Sequence, residues 1–404
     1  MSNRPPEFKN KIIILGVIID DRPFEFFQNK FVDFLSSSSQ HKIFTPNPEI
    51  CLKAVDDEEF RHILNSADLN LPDGFGLKLG AMILGETLEN RVCGSDFAPK
   101  ILEQLNKQEG IRVFVVLRED SLSTESDIKS LFKNKYPNVK LKVGSININN
   151  LIACDDLLNN VNDFEPQVLF CALGSPYQET WINKFSKLIP SVKVAMGVGG
   201  SFDFLTEKIK RAPQFMRDLG IEWFYRLYQE PQRLSRIKNA TATFLLACHQ
   251  WKKRFSAEYR KNVLCVIRNK AGLFLLGKSK RFSDHWHFPQ GGIENNEEPS
   301  SAAIREASEE LVAPEKLFRI VKRLTANNRY DSPPYAKLLK GYKGQEQTAF
   351  LIEFLGNDSD MQIKQSHEFI EIAWVDQNEL LEKIHPIRKE FARRILDELK
   401  DAIA

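Results

Sequence analysis

Short apolar runs alternate with amphipathic segments through the first half of the chain. The apolar runs, each followed by polar or glycine-containing residues, are 11–19, KIFTPNP, 111–117, VKLKVG, 167–174 and 192–199. Between them, segments such as FAPKILEQLNKQ and DIKSLFKNKY repeat apolar residues at helical spacing. This alternation predicts an α/β domain with a mostly parallel sheet covered on both faces, whose ligands bind at the carboxyl ends of the strands.

The ends of these predicted strands carry uncommon polar residues. They are Thr45 and Asn47 in FTPNPEI, Asp73 in LPDGFG, Arg91 and Asp96 in RVCGSD, Gln178 and Glu179 in GSPYQETW, and Gly197, Gly199 and Gly200 in GVGGSFDF. Each motif alone is a weak signal, because an isolated Asp-Gly is usually a turn and a glycine cluster after a strand suits many nucleotide-binding folds.

Taken together and in this order, the motifs resemble those of the bacterial N-acetylmannosaminyltransferase family that builds teichoic-acid linkage units and enterobacterial common antigen. Residues 211–236 are similar to that family's C-terminal signature, and the resemblance spans residues 10–237. It implies a Rossmann-like domain that moves an N-acetylhexosamine from a UDP-sugar to a polyprenyl-diphosphate-linked acceptor. The residues it implies are Asp73 as base, Thr45, Asn47 and Gln178 as substrate contacts, Arg91 as a phosphate or sugar contact, and Arg233 and Arg236 as pyrophosphate contacts. A surface ion pair is the alternative for each arginine.

Three segments depart from that family's pattern. The chain reads Leu117-Arg118-Glu119-Asp120 where a glycine-rich turn is expected, and GSININN replaces a loop rich in glycine and aromatic residues. Thr206 and Glu207 stand where a small residue and a glycine are usual. Acidic side chains beside a diphosphate are unfavourable. The change at Leu117–Asp120 therefore favours a first domain that binds a ligand without transferring a sugar, whereas the intact Asp73, Arg91 and Gln178 favour a transferase.

A cluster of charged residues at helical spacing marks the second half of the chain. Arg305, Glu306, Glu309 and Glu310 stand at i, i+1, i+4 and i+5, so a helix gathers them along one side. Three crowded carboxylates repel one another unless the face is solvated or a hard cation binds them. An ordinary solvated face is the alternative to a metal site.

The surroundings of this cluster resemble the signature of Nudix hydrolases, G-x5-E-x7-R-E-U-x-E-E-x-G-U. Gly291, Glu297, Arg305, Glu306, Glu309 and Glu310 match its first glycine and its charged positions, while Ala307 is small for its place and Val312 replaces the second glycine. WHFPQGG and residues 341–354 look like the branch of bacterial RNA pyrophosphohydrolases and dinucleoside-polyphosphate hydrolases.

This second resemblance implies an α/β/α domain that hydrolyses a diphosphate. It implies Mg²⁺ or Mn²⁺ held by Glu306, Glu309 and Glu310, with Glu309, Glu310 and Glu368 taking part in catalysis. Such metals polarise phosphoryl oxygens and activate water. Gly291, Glu297 and Arg305 are implied as structural supports.

Composition limits the remaining possibilities. The chain of 404 residues is long enough for two domains, and its net charge of +2 gives no overall field that favours nucleic acid. Its six cysteines, with no C-x-x-C, predict buried thiols in a reducing cytoplasm. With neither a signal-peptide run nor a segment of membrane-spanning length, we expect a cytoplasmic protein. A homo-oligomer is left open.

Residues 238–258 are predicted to be a linker helix between a first domain, 1–237, and a second, 259–404. The apolar run TFLLACHQW followed by Lys252, Lys253 and Arg254 suits a helix at the inner membrane surface, where a lipid-linked acceptor would lie. The alternative is a linker helix packed between the domains.

Three functional interpretations follow. In the first, both domains are catalytic and act on a nucleotide sugar and a related nucleoside diphosphate. In the second, only the Nudix domain is catalytic and the first domain is a ligand-binding scaffold. In the third, the protein is an RNA 5′-end pyrophosphohydrolase whose RNA binding is strongly salt-dependent.

Overall fold

The computed structural model describes residues 8–148, 155–214, 216, 225, 228, 239–280 and 285–400. The chain divides into two compact units. The first comprises Met1–Lys253 with Pro334–Gly341, and the second comprises Arg254–Pro333 with Tyr342–Ala404.

A six-stranded sheet organises the first unit, with the strand order β4-β3-β8-β7-β5-β6 and parallel pairing throughout. The strands of this unit are β1 Lys11–Ile14, β2 Val17–Asp20, β3 His41–Phe44, β4 Leu69–Asn70, β5 Arg112–Arg118, β6 Lys140–Ile146, β7 Val168–Ala172 and β8 Val194–Gly197. Its helices are α1 Phe24–Leu35, α2 Pro48–Asp56, α3 Glu58–Asn65, α4 Gly76–Leu84, α5 Gly94–Leu105, α6 Glu125–Lys135, α7 Asp155–Phe164, α8 Tyr177–Phe185 and α9 Ser201–Leu205. A further helix, α10 Phe244–Ala257, begins in this unit, and its residues from Arg254 onward belong to the second. The predicted α/β fold with a mostly parallel sheet is confirmed.

The run at residues 11–19 departs from the prediction of a strand in this sheet. It forms an antiparallel hairpin, β1 with β2, that is a separate two-stranded sheet. Leu15 and Gly16 have φ angles of 51° and 81°, so the backbone turns back on itself after Ile14. An Asn-Gly or Asp-Gly pair is the usual signal for such a turn, and Leu-Gly lacks it.

Burial explains why the central strands are almost continuously apolar. In β5 the five residues between Arg112 and Arg118 are buried, because helices cover both faces of the sheet. Phenylalanines from α1 and α5, among them Phe27 and Phe97, pack into this core. Only the strand ends are left for polar side chains.

The second unit is built on a mixed seven-stranded sheet in which β9 pairs parallel with β14 and the other pairings are antiparallel. Its strands are β9 Tyr259–Arg268, β10 Phe274–Ser279, β11 Trp286–His287, β12 Gln290–Gly292, β13 Phe318–Asp331, β14 Gly344–Phe354 and β15 Phe369–Val375. Its helices are α11 Pro299–Leu311, α13 Gln377–Lys383 and α14 Lys389–Lys400. Helix α12, Pro334–Lys340, lies between β13 and β14 in sequence but belongs to the first unit.

Alternating residues of β9 pack into two separate hydrophobic cores. Leu264 and Val266 pack with residues of α14, whereas Val263 and Cys265 pack with residues of α11. The two faces of the sheet are therefore each covered by a helix. The predicted α/β/α arrangement of this domain is confirmed.

The helix α10 occupies most of the predicted linker. Phe244, Cys248 and Trp251 are buried, and the Trp251 Nε1–H donates to the Leu338 carbonyl at 2.9 Å within the first unit. The helix is therefore packed within the first unit over these residues. Within the described ranges, no helix is long and apolar enough to cross a membrane. The five described cysteines are buried and free; Cys154 lies outside the described residues.

Candidate active sites

A cleft of about 450 Å³ lies at the carboxyl ends of β3, β5, β7 and β8 in the first unit. Its polar lining includes Thr45, Asn47, Glu49, Lys53, Asp73, Ser95, Arg118, Asp120, Ser175, Gln178, Ser201 and Asp203. Parallel strands direct their carboxyl ends to one edge of the sheet, and ligands bind there in such folds. The cleft is therefore where the sequence predicted it.

Four of the predicted substrate-site residues line this cleft: Thr45, Asn47, Asp73 and Gln178. The Asn47 Oδ1 accepts the Ile50 N–H at 2.9 Å and caps α2, so its Nδ2 is the part of the amide that is left for a ligand. The Asp73 backbone N–H donates to the Pro46 carbonyl at 3.0 Å, which ties the two loops together.

The three arginines that were predicted to contact the substrate are not among the described residues of the cleft. Arg91 is not among the described residues that line the cleft, and its Nε–H donates to Cys93 Sγ at 3.3 Å. Arg233 and Arg236 lie outside the described residues. Most of the C-terminal signature, residues 211–236, lies outside them as well.

Gln178 is held from two sides. The Gly199 N–H donates to its Oε1 at 2.9 Å, and its Nε2 donates to the Glu179 Oε1 at 2.8 Å. A Cβ on Gly197 would lie 2.8 Å from the Gln178 Nε2, so only a glycine leaves room for the amide. The amide is thus packed against the end of β8.

One of the two acidic residues in the loop that departs from the family pattern, Asp120, is paired with Arg118. Arg118 donates to both carboxylate oxygens of Asp120, at 2.8 Å from Nε and 2.6 Å from Nη2. These hydrogen bonds lower the pKa of Asp120. Arg118 and Lys53 are the cationic side chains that the described cleft lining contains. Sequence reasoning missed Lys53, whose only signal is its position four residues after Glu49 in α2.

Both glycine replacements seen in the sequence fall on left-handed backbone. Glu207 has a φ of 61°, and Val312, which ends α11, has φ 49° and ψ 56°. The neighbouring Thr206 adapts by sharing a hydrogen bond with Ser123 Oγ at 2.8 Å. The substituted residues keep the backbone geometry that a glycine adopts without strain.

In the second unit, a close approach of backbone and carboxylate explains the first glycine of the signature. A Cβ on Gly291 would lie 1.8 Å from the Glu306 Cδ. Glu306 projects from α11 toward β12, which carries Gly291. Any larger residue at this position would displace the carboxylate.

Arg305 ties the signature together. It pairs with Glu297 through Nε and Nη2, at 2.9 and 3.0 Å, and its Nη2 also donates to the Gly292 carbonyl at 2.9 Å. Its Nη1 reaches the Glu306 Oε1 at 2.9 Å and the Glu309 Oε2 at 3.3 Å. The bond to Glu297 is the largest cause of a raised pKa of Arg305.

Glu310 is a buried carboxyl in the same cluster. The Gln290 N–H donates to its Oε2 at 3.0 Å. Burial raises the pKa of Glu310 well above its usual value, and the charges of Glu368 and Glu306 add to the effect. The Glu368 Oε1 lies 3.5 Å from the His287 Nε2. Glu306 and Glu368 are thus each close enough to Glu310 to repel it electrostatically.

The carboxyl groups of Glu306, Glu309 and Glu310 are of the type that binds divalent cations, but they do not form a complete coordination shell. Among the described residues, no three acidic, histidine or cysteine side chains converge to hold a metal ion. Glu306 and Glu309 both accept hydrogen bonds from the Arg305 guanidinium. Burial is the main cause of the raised pKa of Glu310, and a cation would offset both that burial and the added repulsion from Glu368 and Glu306.

A polar network that sequence reasoning missed adjoins Glu310. The Gln290 Oε1 accepts from the Gln347 Nε2 at 2.7 Å and from the Arg388 Nη1 at 2.8 Å. Burial lowers the pKa of Arg388. Gln347 stands in the GQEQTAF motif that supported the family resemblance, whereas nothing in the sequence around Arg388 singles it out.

Comparison with family models matches the two halves separately. Residues 12–258 match the glycosyl transferase WecG/TagA/CpsF family. Residues 258–395 match the NUDIX domain.

Similar proteins agree with this division. An N-acetylglucosaminyldiphosphoundecaprenol N-acetyl-beta-D-mannosaminyltransferase of Bacillus subtilis (strain 168) is 33% identical over 199 residues, which cover 48% of this chain and 74% of that protein. An enzyme of the same description from Staphylococcus aureus (strain MRSA252) is 28% identical over 235 residues, covering 57% of this chain and 89% of its own.

Among solved structures, an Ap4A hydrolase of C. elegans in a binary complex is 24% identical and covers 35% of this chain and 98% of its own, with a TM-score of 0.29. A TM-score this low adds nothing to the assignment. From the family models and the transferase relatives, the chain belongs to the glycosyl transferase WecG/TagA/CpsF family and joins a glycosyltransferase domain to a C-terminal NUDIX hydrolase domain.

Proposed function

We propose that the first domain transfers an N-acetylhexosamine from a UDP-sugar to a polyprenyl-diphosphate-linked acceptor. The observation that carries this proposal is that Asp73 shares one cleft with Thr45, Asn47 and Gln178. The names of the Bacillus and Staphylococcus relatives describe a sugar transfer of this kind.

The chemistry assigns a task to each group in the cleft. The Asp73 carboxylate accepts the proton of the acceptor hydroxyl as that oxygen attacks the anomeric carbon. The bond from that carbon to the diphosphate breaks, and UDP leaves with the bonding electrons. Lys53 and Arg118, which both line the cleft, offset the charge that develops on the diphosphate. The amides of Asn47 and Gln178 hold sugar hydroxyls.

We further propose that the NUDIX domain hydrolyses the diphosphate of a nucleotide or nucleotide sugar related to the transfer. Glu306, Glu309 and Glu310 would hold Mg²⁺ or Mn²⁺, which polarises phosphoryl oxygens and activates water when bound. Glu368 would accept the proton of the attacking water, while Glu309 and Glu310 would take part through the metal. Support comes from the electrostatic interaction of Glu368 with Glu310, since the two carboxyl groups then belong to one cluster.

An acceptor carried on a polyprenyl chain is held in a membrane, so the enzyme must reach it at the membrane surface. We propose peripheral attachment at the inner face of the membrane for the duration of the transfer. The exposed lysines Lys252 and Lys253 at the end of α10 suit an anionic surface.

A second candidate is that only the NUDIX domain is catalytic and the first domain is a ligand-binding scaffold. The Leu117–Asp120 departure favours it, because the Arg118 donors at Nε and Nη2 are already engaged by Asp120. The NUDIX substrate in this case would be a dinucleoside polyphosphate or the 5′ end of an RNA.

Mass spectrometry of products from the full chain tests these alternatives. The chain is incubated with Mg²⁺ and, separately, with UDP-N-acetylhexosamines plus a polyprenyl-diphosphate-linked acceptor, with dinucleoside polyphosphates and with 5′-triphosphate RNA. Asp73→Asn should abolish sugar transfer and spare hydrolysis, whereas Glu310→Gln should do the reverse. Hydrolysis without any transfer would support the scaffold alternative. Cleavage of RNA alone would contradict a hydrolase linked to the sugar nucleotide.

A further inference from the structure

A fully buried carboxyl group adjoins the transferase cleft without lining it. The side chain of Glu179, the third residue of α8, is 0% exposed. Its neighbour Gln178 is 2% exposed and contributes to the cleft lining. The two side chains are joined by the hydrogen bond from Gln178 Nε2 to Glu179 Oε1, 2.8 Å long.

The hydrogen bonds determine which way the Gln178 amide faces. A backbone N–H can only donate, so the oxygen of the amide must face Gly199. The Nε2 then faces Glu179, whose Oε1 accepts one of its two hydrogens. One N–H of Gln178 is left to be offered to a ligand.

The buried carboxyl group of Glu179 has few hydrogen bonds to compensate for its burial. Burial raises the pKa of Glu179, and the hydrogen bond from Gln178 works against that rise. The Ser175 hydroxyl lies near enough to lower the pKa of Glu179, but the Glu179 Oε2 and the Ser175 Oγ are buried without a well-formed hydrogen bond. A buried oxygen with no partner destabilises a fold, whereas an apolar side chain of similar size does not.

We propose that Glu179 is a positioning residue for sugar transfer: it holds the Gln178 amide so that one N–H points to an oxygen of the bound nucleotide sugar. This inference rests on the proposed transferase function. The geometry that carries it is the pair of hydrogen bonds that clamp Gln178 between Glu179 and Gly199.

Two variants of the full chain separate positioning from packing. Glu179→Gln keeps an oxygen acceptor for Gln178, and Glu179→Leu removes it while filling the space. We expect Glu179→Leu to melt at the wild-type temperature or above and to lose about tenfold in kcat/KM for UDP-N-acetylhexosamine, mainly through KM. Glu179→Gln should restore most of that loss. The melting transition of the first unit reports whether each variant is folded, and hydrolysis by the NUDIX domain reports the amount of intact chain in each sample.

A second measurement does not depend on turnover. With selectively ¹⁵N-labelled glutamine, the side-chain NH₂ signals of Gln178, assigned by their loss in Gln178→Leu, should exchange slowly in the wild type and in Glu179→Gln. They should exchange rapidly in Glu179→Leu. Full kcat/KM or continued slow exchange in Glu179→Leu would overturn the inference, as would equal losses of transfer and stability in both variants. A wild type that neither binds UDP nor transfers sugar, yet shows the expected exchange, would overturn the proposed function and leave the Gln178 clamp as a structural feature only.

Discussion

Arg305 and Glu297 form a two-pronged ion pair, with 2.9 Å between Nε and Oε1 and 3.0 Å between Nη2 and Oε2. The pair links the loop before α11 to the middle of that helix. It also leaves only Nη1 of Arg305 to contact Glu306 and Glu309. The position of those two carboxylates therefore depends on a residue that contacts neither of them directly.

Glu297→Gln should destabilise the NUDIX domain by about 1 to 2 kcal/mol, since one charge-assisted hydrogen bond is lost. The bond to Arg305 holds the pKa of Glu297 below its usual 4.5. The stabilisation is therefore fully present above about pH 4.5 and is lost as the pH falls through the lower, folded-state pKa. Thermal melts from pH 3 to 7, about the range where carboxyls titrate, should show wild type and variant converging at the acid end. Glu294→Gln, at an exposed position nearby, is the control and should show no such convergence.

Val312→Gly should stabilise the NUDIX domain by about 1 kcal/mol. A β-branched residue at a φ of 49° is strained, and glycine removes the strain. Urea denaturation of the two proteins measures the difference. The matched control is Val321→Gly in β13, where 51% of the valine is exposed and φ is not positive, and this change should destabilise. If both changes destabilise the domain, the packing of the Val312 side chain contributes more to stability than the strain of its positive φ removes.

Gly291→Ala should reduce diphosphate hydrolysis by at least about tenfold, because the new Cβ would occupy the place of the Glu306 carboxylate, 1.8 Å from its Cδ. Sugar transfer by the same sample should be unchanged and reports the amount of intact chain, while a thermal melt shows whether the NUDIX domain is folded. Gly292→Ala is the contrasting variant: its Cβ meets only the end of the flexible Arg260 side chain, at 2.6 Å. The smaller loss should belong to Gly292→Ala, and the opposite ranking would contradict the role given to Gly291.

Glu310→Gln should remove the response of the NUDIX domain to Mg²⁺. In the wild type, a cation bound by the folded state raises the melting temperature in proportion to the logarithm of its concentration. The variant should show a much smaller rise and a loss of hydrolysis of at least about 10²-fold. Glu315→Gln, at an exposed position after α11, serves as the control and should respond to Mg²⁺ like the wild type. An equal Mg²⁺ response in Glu310→Gln would place the cation elsewhere.

Gly197→Ala should impair sugar transfer, because its Cβ would press on the Gln178 Nε2 from 2.8 Å. We expect a rise in KM for the UDP-sugar of about tenfold, with hydrolysis by the NUDIX domain unaffected. Steady-state kinetics of both reactions on one preparation give the comparison. A pure loss of kcat at constant KM would indicate that Gly197 affects the acceptor or the base instead of the donor.

The sequence was most informative where function depends on local spacing. The residues from Arg305 to Glu310 lie within α11, so the positions of Glu306, Glu309 and Glu310 on one side of that helix follow from the helix period. The polar residues at the ends of β3 and β7 were likewise predicted to meet, because parallel strands bring their carboxyl ends together.

Sequence reasoning failed where a long-range contact or an unusual backbone angle decides the outcome. The turn at Leu15 and Gly16 carries none of the residue pairs that mark a hairpin, so the run at 11–19 was expected to be one strand. Lys53 and Arg388 reach their sites from helical segments whose local sequence is ordinary. Their roles depend on packing between segments far apart in the chain.

The short helix α12 makes the chain's two halves inseparable by a single cut. It lies in sequence between two paired strands of the NUDIX sheet, yet Pro334–Gly341 belongs to the transferase unit, where the Leu338 carbonyl accepts from Trp251. A fragment that stops at residue 258 would lose this segment and leave the buried indole N–H without its acceptor. Truncation would thus destabilise the unit that it was meant to isolate. Each activity is therefore best removed by a point substitution in the intact chain.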